Sequence, residues 1–132
     1  MEAIKSYTNL EQSKKLAEIL PLDSADMWYQ YTGISIKDGS KKPIYFPMVI
    51  RDCESDEDIP CWSLTALLSV LPKIYYPVKD HETNLILGKP KDKWCVLYWD
   101  TTGMQHGEQT LADNPIDACV DMIEKLHELN LL

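Results

Sequence analysis

Any acid–base, nucleophilic or metal chemistry in this 132-residue chain would have to run through four cysteines, three histidines and twenty-one carboxylates. Cys61 is the first candidate. The apolar run after it reads as a helix entered at Pro60, which places the thiol in the first turn, where a helix dipole lowers a thiol pKa. With His81 or His106 as base and Asp100 as orienting carboxylate, a small thiol hydrolase or transferase can be drawn. The local electrostatics oppose it. Asp52, Glu54, Asp56, Glu57 and Asp58 lie just upstream and disfavour a thiolate, and neighbouring Trp62 points to burial, which raises the pKa further. A core cysteine is the simpler reading.

Metal chemistry fares no better. Asp52, Glu54 and Asp56 alternate like the first ligands of a calcium loop, but Glu57 stands where that loop needs glycine and Ser63 where a bidentate glutamate would close it. The run is read instead as solvated carboxylates favouring the positive end of the next helix. Asp100, His106 and Glu108 flank or lie in Thr101–Ala112, a glycine-containing stretch read as the longest loop; three such residues are a thin ligand set. Cys53, Cys61, Cys95 and Cys119 are widely spaced, without paired C-x-x-C units or histidines at zinc spacing, and read as reduced thiols. No glycine pattern forms a phosphate loop or a dinucleotide fingerprint. Asp113, Asp117 and Asp121 recur every four residues ahead of Lys125. On a helix they form one column, with Asp121–Lys125 as an i, i+4 pair, and the column also suits a protein-binding face. His81 reads as part of a polar connection and His127 as a complement to a helix C-terminus. No catalytic, cofactor or metal site is expected.

The bulk charge narrows the partners. The formal net charge is −8, and Arg51 is the sole arginine. Attraction to phosphate dominates non-specific binding to nucleic acid and anionic membranes, so neither is an expected partner. Along the chain the charge is +1 over residues 1–51, −5 over 52–72, +2 over 73–99 and −6 over 100–132. If the two acidic segments share a surface, the chain could imitate nucleic acid and occupy a basic protein. No secretory signal pattern opens the chain and no apolar run is long enough to span a bilayer, so the cytoplasm is the expected location.

Three helices must position these residues. The first is expected to be capped by Thr8 with Glu11 and stopped by Pro21. In the second, Leu64, Leu67, Leu68 and Leu71 form one face up to Pro72. The third opens at Asp113-Asn114-Pro115, carries Ile116, Cys119, Val120, Ile123 and Leu126 as a stripe, and closes at Asn130. Between the first two helices, Met27–Thr32 and Ile44–Ile50 read as a long, loose hairpin turning near Asp38-Gly39, with Pro43 and Pro47 marking an edge. Between the last two, Leu85–Gly88 and Trp94–Trp99 form a hairpin around Lys89-Pro90-Lys91-Asp92, and Ile74–Val78 adds an edge strand. The expected fold is a single α+β domain over residues 1–132. It has a mainly antiparallel sheet of four to five strands with three helices packed on it, in the order α-ββ-α-ββ(β)-α.

Four Trp and seven Tyr against one Phe mean that most aromatic rings carry a polar handle. Trp28, Tyr29 and Tyr31 fall on both faces of one strand. Trp94, Val96 and Tyr98 share one face of another, with Cys95, Leu97 and Trp99 on its reverse. Either helices cover both faces, or one face offers Tyr and Trp to a partner.

YTNLEQSKKLAEILPLDSADM, IPCWSLTALLSVLP and NPIDACVDMIEKLHELNLL, 54 residues in all, resemble recurring blocks of a family of small uncharacterised bacterial proteins associated with phages and mobile elements. The resemblance implies a bacterial or phage context and brings no activity, cofactor or site residue with it. The leading expectation is a non-enzymatic protein-interaction module, an accessory of such an element. Its interaction residues would be Trp28, Tyr29, Tyr31, Trp94, Tyr98, Trp99, Asp113, Asp117 and Asp121, and its partner an unidentified protein. The alternatives are a hydrolase or transferase using Cys61 or the Asp100–His106 loop, and an oligomerising structural component built from copies of the chain.

Overall fold

Asn9, Ser63 and Asn114 each precede an apolar run, and each caps a helix with its own side chain. In the computed structural model these helices are α1 (Leu10–Ile19), α2 (Leu64–Val70) and α3 (Pro115–Glu128). The structure describes residues 4–37, 39–48, 56–78, 81–100 and 105–132. At 35–37, 40, 42, 46–48, 74–78, 81, 105 and 106 it gives the backbone alone. The α3 signals hold as read: Asn114 accepts from the Asp117 backbone N–H, Pro115 opens the helix, and Asn130 turns left-handed at φ 59°. The α1 cap lies one residue later than expected. Asn9 and Gln12, not Thr8 and Glu11, form the capping box, because the Thr8 side chain is turned into the protein.

Among the described residues seven strands accompany the helices: β1 (Met27–Lys37), β2 (Ser40–Met48), β3 (Ile59–Cys61), β4 (Ile74–Val78), β5 (His81–Gly88), β6 (Trp94–Asp100) and β7 (Gln105–Ala112). The class is α+β and every strand pairing is antiparallel, but the expected single sheet is two. One runs β2-β1-β3 and the other β4-β5-β6-β7. Two misread segments account for the difference. Ile59–Cys61 does not open α2. It pairs with Met27–Tyr29 as an edge strand, where the missing N–H of Pro60 does no harm. Residues 105–112 are not loop but β7, pairing with β6. The first sheet therefore ends in proline-bearing strands on both sides, which limits further pairing at its edges. The first hairpin is also tighter than expected, since pairing continues to Lys37 and Ser40.

The main core lies between the helices and one face of the four-stranded sheet. The expected α3 stripe is buried throughout, and Ala118 and Met122 are buried as well. The helix is thus packed on more than one side, against β6, β7, α2 and α1. A smaller core under the first sheet holds Met27, Tyr29 and Cys61, with Tyr7 and Leu10 against it.

Thr8, fully buried, ties the two cores together. Its N–H donates to the Trp62 carbonyl at 3.0 Å, and its hydroxyl accepts from the Trp62 N–H at 3.2 Å. The hydroxyl also bonds Ser13 Oγ at 2.7 Å, while its carbonyl accepts from Tyr29 OH at 2.8 Å. Thr8→Val keeps the shape but strands the Trp62 N–H and the Ser13 hydroxyl. The expected loss is about 1–3 kcal/mol of unfolding free energy, measured by urea denaturation; an unchanged midpoint would remove Thr8 from this role.

A second network ties the caps of α1 and α3. Asp117 accepts from Lys5 Nζ at 2.7 Å, Gln12 Nε2 at 2.8 Å and Asn114 Nδ2 at 2.8 Å. Burial acts to raise the Asp117 pKa, but these hydrogen bonds and the Lys5 charge prevail and bring it below 3.8. A carboxyl depressed in the folded state adds stability above its unfolded pKa and loses it as pH falls through the lower folded value. Asp117→Asn should therefore weaken the protein at neutral pH. The gap from wild type should shrink as pH falls below about 4 and the Asp117 carboxylate is protonated; a gap constant with pH would contradict this assignment.

Candidate functional site

Cys61 is not placed as the thiol reading requires, and the side chains of His81 and His106 lie outside those described. Cys61 sits in β3 rather than in the first turn of α2, fully buried, with its Sγ donating to the Thr8 carbonyl at 3.5 Å. Burial pushes its pKa up and the Asp26 charge adds to this. Hydrogen bonds from Thr8, Ser13 and Trp62 offset only part. Burial also raises Cys95, and it takes Cys119 to about 12. All three are free thiols; Cys53 lies outside the described residues.

Of the second catalytic sketch, residues 101–104 lie outside the described residues, and the rest of the expected loop is strand β7. Asp100 is buried at the end of β6, opposite Gln105, and the His106 backbone lies opposite Trp99 in the same ladder. Glu108 on β7 pairs with Lys125 of α3 at 2.9 Å. Among the described residues no group of three His, Cys, Asp or Glu is placed to hold a metal ion. Of the acidic run, residues 52–55 lie outside the described residues. Asp58 is buried and accepts from the Tyr31 N–H at 2.8 Å, fixing the β1 backbone rather than facing water. The N-terminus of α2 is met instead by Asp26, whose carboxylate accepts from the Ser63 N–H at 2.9 Å and from the Ser63 hydroxyl.

The aspartate column on α3 separates into different tasks. Asp113 pairs with Lys93, Asp117 holds the cap network, and Asp121 is raised by burial and by the charge of Asp117. The expected Asp121–Lys125 pair does not form. Lys125 reaches the sheet instead, bonding Glu108 and donating to the Gln109 carbonyl at 3.3 Å. That contact places an ammonium on the outer strand β7, one of the means by which sheet edges are kept from pairing with other chains.

The aromatic residues divide by strand alternation. Tyr29 is buried in the small core, and Trp28, its neighbour on the opposite face, is half-buried. Tyr31 stacks edge-on with Tyr45 at 5.8 Å. On β6, Val96 and Tyr98 are fully buried in the main core with Trp94 packed against it, and Tyr98 OH donates to the Pro72 carbonyl at 2.5 Å. The helices therefore take the Trp94–Tyr98 row. Cys95, Leu97 and Trp99 lie on the reverse, where the register sets Ile86 and Gln109 beside Leu97, and Gly88 and Leu111 beside Cys95. Ile86 is 42 % exposed and Leu111 52 %, with Leu97 and Trp99 half-buried. Cys95 is shielded because its short side chain does not rise above these neighbours.

Among the described residues no helix or second sheet packs on this face. Its central positions Ile86, Gly88, Cys95, Leu97, Trp99, Gln109 and Leu111 carry no formal charge, and the exposed Glu82 lies on the same face beyond Asn84. Ile86 and Leu111 were not singled out by the sequence reading. Ile86 follows from the β5–β6 register across from Leu97, whereas Leu111 lies across from Cys95 and needs the register of β7. What the face can do chemically is bury apolar area against another surface.

The chain has no match among protein-family models, curated proteins or solved structures. No described helix is long and apolar enough to cross a membrane.

The thiols supply a direct check on the loss of the nucleophile. With Cys61 and Cys119 buried and raised, thiol reagents at neutral pH should leave both unmodified in the folded protein and label them only after denaturation. Rapid labelling of Cys61 in the native state, followed by peptide mapping, would restore the thiol-enzyme reading.

Proposed function

We propose that the chain is a non-enzymatic protein-interaction module that docks a partner protein on the helix-free face of its four-stranded sheet. The observation that carries this reading is the uncharged strip of Ile86, Leu97, Trp99 and Leu111, left half-buried or exposed in a protein of net charge −8. Trp favours protein interfaces because a large ring buries area with few rotors, and an uncharged centre suits the dry middle of a contact. The buried, raised thiols count against the hydrolase alternative. The resemblance of the helical segments to small phage-associated bacterial proteins gives this module its context, an accessory of a phage or mobile element acting on a protein of that element or its host.

Affinity capture from a bacterial lysate tests the reading. Wild type should retain a reproducible partner, and Leu111→Lys with Ile86→Lys should weaken retention at least about tenfold, the loss of one good apolar anchor. Both positions are exposed enough that the double variant should keep its melting temperature. A partner held equally by the variant, or none held by wild type, would refute the sheet-face assignment.

A further inference from the structure

We propose that the open edge of β5 takes the extended C-terminal segment of a partner protein, with an apolar side chain under α2 and the terminal carboxylate on Lys73. β4 covers β5 along only part of its length. Its pairing runs from Val78 opposite His81 to Ile74 opposite Asn84, and one further bond, from the Leu85 N–H to the Lys73 carbonyl at 3.0 Å, ends it. On its other side β5 stays paired with β6 as far as Gly88. The Leu85 N–H points away from β6, so alternation sends the N–H and C=O of Leu87 the same way. Among the described residues no strand meets them. Such an edge is a template for an added strand.

The side chains beside this edge form a pocket for one residue of that strand. The chain leaves α2 at Leu71 and reaches β4 through Pro72, and α2 packs chiefly against α3. The gap left between α2 and β5 is a groove of about 550 Å³ lined by Leu68, Leu85, Leu87, Asn84 and Lys73. Its three leucines are half-buried, with one side on the main core and the other in the groove. A residue directly opposite Leu87 on an added strand shares its face, so its side chain enters the groove against Leu68 and Leu87.

Direction and charge select a chain end. A strand antiparallel to β5 lies in line with β4 and runs toward Lys73, which already holds the position opposite Leu85. It has room to end there but not to continue. Lys73 is exposed, lines the groove and, among the described residues, has no ion-pair partner. Glu82, the one carboxylate of β5, alternates to the helix-free face, and no carboxylate is among the described residues lining the groove. In a chain of net charge −8, an unpaired ammonium at the closed end of an apolar groove favours a carboxylate, which a C-terminus provides. A parallel strand would bring its N-terminal ammonium to Lys73 instead, and like charges repel.

Random peptides displayed with free C-termini and selected on the full chain supply the probe. Retained peptides should share an apolar residue at the last or next-to-last position. When one of them is synthesised as acid and as amide, the amide should bind at least about tenfold more weakly. Lys73→Gln should cost the acid a similar factor and leave the amide unchanged, a pattern that a general disturbance of the fold does not give. N-methylation of the apolar residue, which removes its donor to the Leu87 carbonyl, should weaken binding to the unaltered protein about tenfold. Leu111→Lys, on the helix-free face, should leave peptide binding intact, so the two surfaces fail separately. No enriched peptide, an amide equal to the acid, indifference to N-methylation, or binding lost with Leu111→Lys and kept with Lys73→Gln would each overturn the proposal.

Discussion

The fold depends on one buried pairing, in which the Thr8 N–H donates to the Trp62 carbonyl and the Trp62 N–H donates back to the Thr8 hydroxyl. Residues 7 and 8 lie ahead of α1, and Tyr7 forms an isolated antiparallel bridge with Ser63. This short pairing brings the start of α1 to the junction between β3 and α2. From it the two cores diverge: Cys61 points under the three-stranded sheet and Trp62 into the helical core. The Trp62 indole N–H then donates to Ser24 Oγ at 3.0 Å, which fixes the turn leading into β1. Buried polar groups are costly when unmatched, and here each hydroxyl and amide of the knot has a partner. Local order and global topology are set by the same few atoms.

The helices were legible because their punctuation is local. Pro72 lies just beyond the α2 cap, Asn114-Pro115 opens α3, and Asn130 closes it, each acting within a turn of its own position. The β5–β6 hairpin was legible for the same reason, its loop including Lys91 in a left-handed conformation at φ 58°. What failed to show was non-local. Ile59–Cys61 is a strand only because β1 has an open side at Met27–Tyr29. β7 is a strand only because β6 does, and its sequence, QHGEQTLA, is too polar and too poor in β-branched residues to announce itself. The second buried side of α3, at Ala118 and Met122, exists because the helix lies between a sheet and other helices.

The candidate surface was half legible. Alternation along β6 defines two rows, Trp94–Val96–Tyr98 and Cys95–Leu97–Trp99, and both are apolar enough to be core. The side on which α3 packs decides between them. The excess of tyrosine over phenylalanine also takes on a different meaning. Tyr29 and Tyr98 use their hydroxyls on the carbonyls of Thr8 and Pro72, just ahead of α1 and just beyond α2. At these two tyrosines the polar handle that suggested an interface serves internal carbonyls. The apolar residues left uncovered are mostly aliphatic, and aliphatic residues in a strand carry no mark distinguishing an interface from a core.

Because Cys61 and Trp62 are adjacent and serve opposite cores, chain length across this junction is constrained more tightly than composition. A conservative exchange at either position alters one core and leaves the other intact. Insertion or deletion of a single residue between Asp58 and Ser63 would do something different in kind. It would send the indole toward the small core and the thiol toward the large one, while shifting both hydrogen bonds to Thr8 out of phase. The loop of the β5–β6 hairpin, Lys89 to Lys93, keeps no such phase and can change length without exchanging the two cores. The five-residue interval from Ile59 to Ser63 should hold its spacing.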